Sequence, residues 1–405
     1  MRNVRLFHHP NPCRIPVKHN AESKSVSLLD YLAERCPSLV GHSAQFHPSP
    51  YLFNGHLQTM YAAMYKDTAT ADKIVYEREL LRMANGGQVS LDWTLPASGA
   101  PAFTDSTPTL VILHGLTGGS HEAYIRGLLE VVTRPPFNYR GVVMNARGCC
   151  NTDILTPQLF NGAWTDDLRE CLAHLQKKLA PGTPLIGIGY SLGSNILVKY
   201  LGEEGDKTPF KAAISVANPF DFLVSSNALE RGFLSKHVYT RAMANNLKRL
   251  FEVNKEMMAQ RQDISYDQVM AAQSIREFDD ACTRKVFGYT TVNNYYREAS
   301  SSQFIEHVKV PLLCLNAMDD PIATPECIPW DEIKINPYVV LATTEHGGHL
   351  GWFEHFYHPS RWVDKPLAEF IVAMFEAYDP RFKSDSALLD PQTIMQNVDT
   401  IKQHH

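Results

Sequence analysis

Gly189-Tyr190-Ser191-Leu192-Gly193 places one serine between two glycines. In a G-x-S-x-G spacing a serine hydroxyl can stand on a sharp strand-to-helix turn and act as a nucleophile. Extended back to Gly187, the same stretch also has the G-x-G-x-x-x-G spacing of a dinucleotide-binding turn. A serine hydroxyl is a weak nucleophile. The first chemistry therefore requires a histidine to take its proton and an acid to orient that histidine. In this arrangement the acid and then the histidine follow the serine along the chain. "LNAMDDPIATP" supplies Asp319 and Asp320 after one apolar run, and "TTEHGGHLGWF" supplies His346 and His349 after the next. Asp320 is preferred because it directly precedes the Pro-Ile pair; Asp319 then caps the loop. His349 is preferred because it sits deeper in the glycine-rich loop and precedes the apolar "LGWF". The expected oxyanion donors are the backbone N–H of Leu192, directly after the serine, and that of Leu116, in the loop after "TLVILHG".

A dinucleotide fingerprint opens the first strand-helix unit and has an acidic residue about 20 positions on, at the next strand tip. Here at least four strand-like runs come first, and Glu203 and Glu204 fall on a helix end. The ester-cleaving reading is therefore preferred. Other polar residues have bland roles. His114 is read as bonding loop backbone, and His121 and Glu122 as belonging to the start of a helix. Asp166 and Asp167 suit a helix N-terminus, where negative charge is favourable.

The elements that must hold these residues alternate along the chain. "KIVYERELLRM" and "QVSLDWTL" read as antiparallel edge strands. Continuous apolar runs follow at 109–115, 140–148, 183–191, 211–219, 310–320 and 337–348, as in strands buried on both faces. Helical patterns separate them. The expected fold is α/β: a mostly parallel twisted sheet with helices on both faces. Residues 1–70 read as an N-terminal arm packing on the core, with a short helix starting after Ser27. Residues 71–220 and 306–380 form the core, 221–305 a helical cap or lid too long for an ordinary crossover, and 381–405 a C-terminal tail. Met243, Met257, Met258 and Met270 in the insertion suit an adaptable apolar pocket, and equally an ordinary helix core. The aromatic stretch at 46–61 either lines a pocket or packs the arm on the sheet.

Bulk composition excludes several classes. The chain has 405 residues, 44% of them hydrophobic and 20% charged, enough for a sizeable core. A formal charge of −5 with no basic stripe argues against nucleic acid as a partner. The eight cysteines include no C-x-x-C pair, and no N-x-[ST] acceptor occurs, which favours a reducing compartment. No secretory signal and no run of about 18 apolar residues is visible, so a cytoplasmic location is expected. Peripheral attachment to lipid droplets or membranes stays open.

"YLFNGHLQTMY", "LHGLTGGSHEAYIR", "NARGCCNT", "GYSLGSNIL" and the ending "DDPI…HGGHLGW" together resemble the AB-hydrolase family type 4 over roughly residues 40–380. This group contains medium-chain fatty-acid ethyl ester synthase/esterases, yeast-type monoacylglycerol lipases and YheT-like hydrolases. The resemblance implies an α/β-hydrolase fold without a cofactor, with the nucleophile at Ser191, the acid at Asp320 and the base at His349. It implies hydrolysis of medium-chain acyl esters and monoacylglycerols. In some members the acyl group passes instead to ethanol. For this chain the alternative is therefore an alcohol acyltransferase using acyl-CoA, with ethanol or glycerol as candidate acceptors. The second cysteine of "NARGCCNT" departs from the family pattern, in which that place usually carries a small residue. A catalytically silent, hydrolase-fold binding module is the alternative of a different class.

Overall fold

A computed structural model describes residues 3–19, 22–65 and 73–378. The expected tail at 381–405 lies outside the described residues. The apolar runs read from the sequence fall on strands β4 (Tyr76–Arg82), β5 (Gln88–Thr94), β6 (Thr109–Leu113), β7 (Arg140–Asn145), β8 (Leu185–Tyr190), β9 (Phe210–Val216), β10 (Leu312–Ala317) and β11 (Val339–Thr344). A further strand, β1 (Arg5–His8), joins them in one sheet ordered β1-β11-β10-β9-β8-β6-β7-β5-β4. From β7 through β11 neighbours run parallel; β1, β5 and β4 pair antiparallel at the two edges. β2 (Arg14–His19) and β3 (Glu22–Ser27) form a separate hairpin. The sequence reading had no strand at β1. Four residues ahead of "HPNP" are too short to show a period, and pairing with β11 decides their conformation.

The continuous apolar runs are explained by burial on both faces. Along β6, Leu110 and Ile112 enter one core cluster while Val111 and Leu113 enter the other. β10 divides in the same way, with Leu313 and Leu315 on one face and Leu312 and Cys314 on the other. Helices Ala123–Val132 and Asp364–Tyr378 cover the first face, and Asp166–Lys178 and Leu192–Glu204 the second. Pairwise burial of this kind fixes register, because a one-residue slip would exchange the two faces.

Helix Asp364–Tyr378 runs through the core, and its Glu369 is fully buried, accepting from the backbone N–H and hydroxyl of Ser38 at 3.0 and 2.8 Å. Burial pushes this carboxyl up from 4.5 to about 8, against the lowering effect of the two Ser38 contacts. The folded value lies above the unfolded one. Stability from the protonated group is therefore fully present below about 4.5 and is lost as pH rises through about 8. Glu369→Gln keeps a donor and an acceptor for Ser38 without the charge. Thermal melts should show the wild type losing on the order of 2–4 kcal/mol more than this variant between pH 5 and 9. Parallel melting curves would refute it.

Between β9 and β10 the described chain is helical, including Phe222–Arg231, Thr240–Val253 and Val292–Ala299. This segment has a small core of its own around Leu247, Phe251, Met258, Val269 and Phe278.

Candidate active site

Ser191 stands at the end of β8, one residue before helix Leu192–Glu204, with φ +51°. A β-carbon on Gly189 would lie 2.4 Å from the Ser194 Cα, and one on Gly193 would lie 2.5 Å from the Leu113 carbonyl oxygen. Only glycine fits at either place, so the spacing read in the sequence has a steric cause. The strained φ lifts the serine out of the strand.

His349 and Asp320 come from loops after β11 and β10. His349 Nε2 lies 2.8 Å from Ser191 Oγ, and its Nδ1 lies 2.8 Å from Asp320 Oδ2. The Asp320 carboxylate takes Nδ1–H, which leaves Nε2 free to accept the serine proton. The other Asp320 oxygen accepts the N–H groups of Ile322 and Ala323 at 2.8 and 2.9 Å. The Asp320 side chain is 0% exposed and that of His349 is 10% exposed. The acid is thus fixed and dry, while the imidazole keeps an opening to substrate.

The alternative pair, Asp319 and His346, also meet, at 2.9 Å, but outside this chain of contacts. Asp319 Oδ1 accepts the Gly348 N–H at 2.9 Å. Gly348 has φ +57°, and a β-carbon there would lie 2.4 Å from the Gly55 carbonyl oxygen. The first pair therefore braces the loop that carries the second histidine.

Leu116 follows β6, and Leu192 opens its helix, so the Leu192 N–H has no intrahelical carbonyl to meet. Leu116, Ser191 and Leu192 line one cavity of about 100 Å³. His349 lines a second, larger groove of about 960 Å³. Met243 and Ile322 border both. Of the four methionines singled out in the insertion, Met243 reaches the cavities, whereas Met257, Met258 and Met270 pack in the helical core.

His114 is buried and backs the turn from within. Ala146 N–H donates to its Nε2 at 3.0 Å, and its Nδ1 donates to the Gly115 carbonyl at 2.6 Å. Burial lowers it to about 4, so it is neutral at physiological pH and both of its nitrogens are engaged. In the "NARGCC" segment, Arg147 forms a buried bidentate pair with Asp167 at 2.6 and 2.8 Å. Cys149 is buried, and the Cys150 sulfur lies 3.4 Å from His121 Nδ1 and 3.4 Å from Arg78 Nη2.

A serine on a tight turn, a histidine on it and an acid behind is the geometry of nucleophilic acyl transfer. The family model for the alpha/beta hydrolase fold matches residues 108–356. The chain belongs to the α/β-hydrolase family. It is 32% identical to the monoacylglycerol lipase of Saccharomyces cerevisiae, over 87% of this chain and 86% of that protein. It is 34% identical to phospholipase ABHD3 of Mus musculus, over 86% and 83%. It is 30% identical to the medium-chain fatty acid ethyl ester synthase/esterase 2 of S. cerevisiae, over 88% and 92%. Family and relatives together mark this α/β-hydrolase as a carboxylic-ester hydrolase. Among the described residues no helix is long and apolar enough to cross a membrane.

The sequence reading left the role of "FNGHLQT" undecided. In this α/β-hydrolase, helix Gly55–Met64 lies against the histidine loop. Thr59 Oγ1 accepts the His349 N–H at 2.9 Å and donates to the Gly55 carbonyl at 2.6 Å. Gln58 exchanges hydrogen bonds with Phe353 N–H and carbonyl at 2.8 and 3.1 Å. His56 Nδ1 lies 2.9 Å from the Tyr239 hydroxyl of the helical insertion. No spacing rule marks such contacts, because they join residues far apart in the chain. Thr59 thereby holds the backbone of the loop at His349. Thr59→Val should lower kcat on an octanoyl ester about tenfold with KM changed less, and Thr59→Ser should restore it. Steady-state kinetics check this, and a Val variant with wild-type kcat would count against it.

Proposed function

We propose that the protein is a serine carboxylic-ester hydrolase acting on medium-chain acyl esters, monoacylglycerols among them. The observation that carries this reading is the unbroken contact chain from Asp320 through His349 to Ser191, set at the mouth of an apolar cavity. Ser191 Oγ attacks the acyl carbon as His349 Nε2 takes its proton, and Asp320 stabilises the imidazolium. The Leu192 and Leu116 N–H groups receive the oxyanion. His349 then protonates the leaving alcohol, and water, activated by the same imidazole, resolves the acyl-enzyme. Because His349 serves the leaving group, the acyl chain is assigned to the cavity at Ser191 and the alcohol to the larger groove. In this reading residues 71–220 and 306–380 form the core, with 1–70 and the lid at 221–305 bordering the groove.

An alcohol accepting the acyl group in place of water would make the protein an acyltransferase that uses acyl-CoA and ethanol. A second reading within ester hydrolysis follows from the groove, which is lined by both Arg126 and Arg361. Two guanidinium groups suit a phosphate-bearing alcohol, as would leave a phospholipid. The test is product analysis by mass spectrometry with octanoyl-glycerol, with dioctanoyl-phosphatidylcholine, and with octanoyl-CoA plus ethanol, using Ser191→Ala as the blank. Free octanoate from the glyceride supports the first reading, a lysophospholipid product the second, and dominant ethyl octanoate the acyltransferase. Equal traces from enzyme and variant overturn all three.

A further inference from the structure

The cavity at Ser191 is apolar along much of its wall, with Leu116, Leu192, Phe222, Leu229, Met243 and Ile322 contributing. An apolar acyl chain would require nothing else. Yet the helical insertion also brings Arg276, Asp279 and Tyr296 to the same wall. Asp279 is buried, and its Oδ2 accepts the Tyr296 hydroxyl at 2.9 Å. Arg276 Nη2 donates to Asn293 Oδ1 at 2.5 Å, and the guanidinium carbon lies 5.7 Å from the centre of the Tyr296 ring. Arg276 Nη1 is shut away from solvent and has no hydrogen-bond partner.

Burying a polar group without a partner is costly, and a charged donor more so. A fold selected only for alkyl chains gains nothing from a guanidinium and a carboxyl in its acyl cavity. Burial pushes the Asp279 carboxyl up to about 6, against the lowering contacts of Thr283 and Tyr296, which leaves it largely ionised at neutral pH and able to accept from a hydroxyl. Arg276 supplies donors, and Asp279 supplies an acceptor. A hydroxyl answers both, and a carbonyl answers the first.

We propose that this cavity selects acyl chains carrying an oxygen function, a hydroxyl or carbonyl, at the end remote from the ester, and that Arg276 is the specificity-determining residue. The inference rests on the assignment of Ser191 as nucleophile and of this cavity to the acyl chain. An oxygenated chain pairs the buried donor, whereas an alkyl chain of equal length leaves it unpaired. Sites built to hydrogen-bond a substrate group discriminate strongly against analogues that lack it.

The experiment compares kcat/KM for 4-nitrophenyl esters of straight-chain acids from four to ten carbons with their ω-hydroxy counterparts, in the wild type and in Arg276→Met. At the best-fitting length the wild-type ratio of hydroxyl to alkyl ester should be about tenfold or more, and Arg276→Met should bring it to one or below. An arginine that merely braces Asn293 and Tyr296 would lower both rates together and leave the ratio unmoved, which overturns the proposal. If Arg276→Met does not fold, the wild-type ratios decide alone: values at or below one at every length refute it. Wild-type enzyme that cleaves neither series, with Ser191 unlabelled by a fluorophosphonate, would locate the failure in the nucleophile assignment instead.

Discussion

Ser191→Ala is expected to abolish ester hydrolysis, with kcat on octanoyl-glycerol falling about 10⁵-fold or more while the protein stays folded. The size of the loss follows from the geometry. His349 Nε2 lies 2.8 Å from Ser191 Oγ, and in the proposed mechanism no acyl-enzyme forms without that hydroxyl. The backbone donors and the cavity remain in the variant, so its residual rate reports their contribution alone. Ser191 also carries backbone strain at φ +51°, and alanine has no smaller penalty there. The variant's thermal stability should therefore match the wild type's, which separates lost chemistry from lost fold. Octanoate release by gas chromatography and a thermal melt, taken on the same preparation, check both halves.

The second large effect distinguishes two acid–histidine pairs that differ by one position. Asp320→Asn should lower kcat about 10⁴-fold, because an amide stabilises the wrong imidazole tautomer and cannot support the imidazolium. Asp319→Asn should cost less than tenfold. Its carbonyl oxygen can still accept the Gly348 N–H, and His346 has no contact with Ser191 among the described hydrogen bonds. The comparison needs only steady-state kinetics on one ester. Equal losses from the two variants would mean that bracing the loop, and not orienting the base, is the main service of this acidic pair.

Much of this was legible in the residues. The buried strands announced themselves because both faces are covered, which leaves runs such as "TLVIL" with no polar alternation. Ser191 was legible because the turn excludes side chains at Gly189 and Gly193. The preference for Asp320 over Asp319 rested on a local cue, the Pro-Ile pair; in the structure the Asp320 carboxylate accepts the N–H groups of Ile322 and Ala323. β1 and Thr59 were not legible. Each acts through a partner hundreds of residues away, β1 through β11 and Thr59 through the His349 amide. Nothing in a local pattern encodes such a partner. Arg276 gave no cue of its own either: its contacts with Asn293 and Tyr296 form only when separate segments of the insertion pack together.

The most direct test of the central claim is to treat the protein with a fluorophosphonate and map the adduct by peptide mass spectrometry. Ser191 Oγ displaces fluoride from phosphorus only if His349 takes its proton and the backbone donors hold the charged oxygen. The account predicts one adduct, on the peptide containing Ser191, matched by loss of esterase activity and absent from His349→Ala. An adduct on another serine, or full inactivation with Ser191 unmodified, would contradict it.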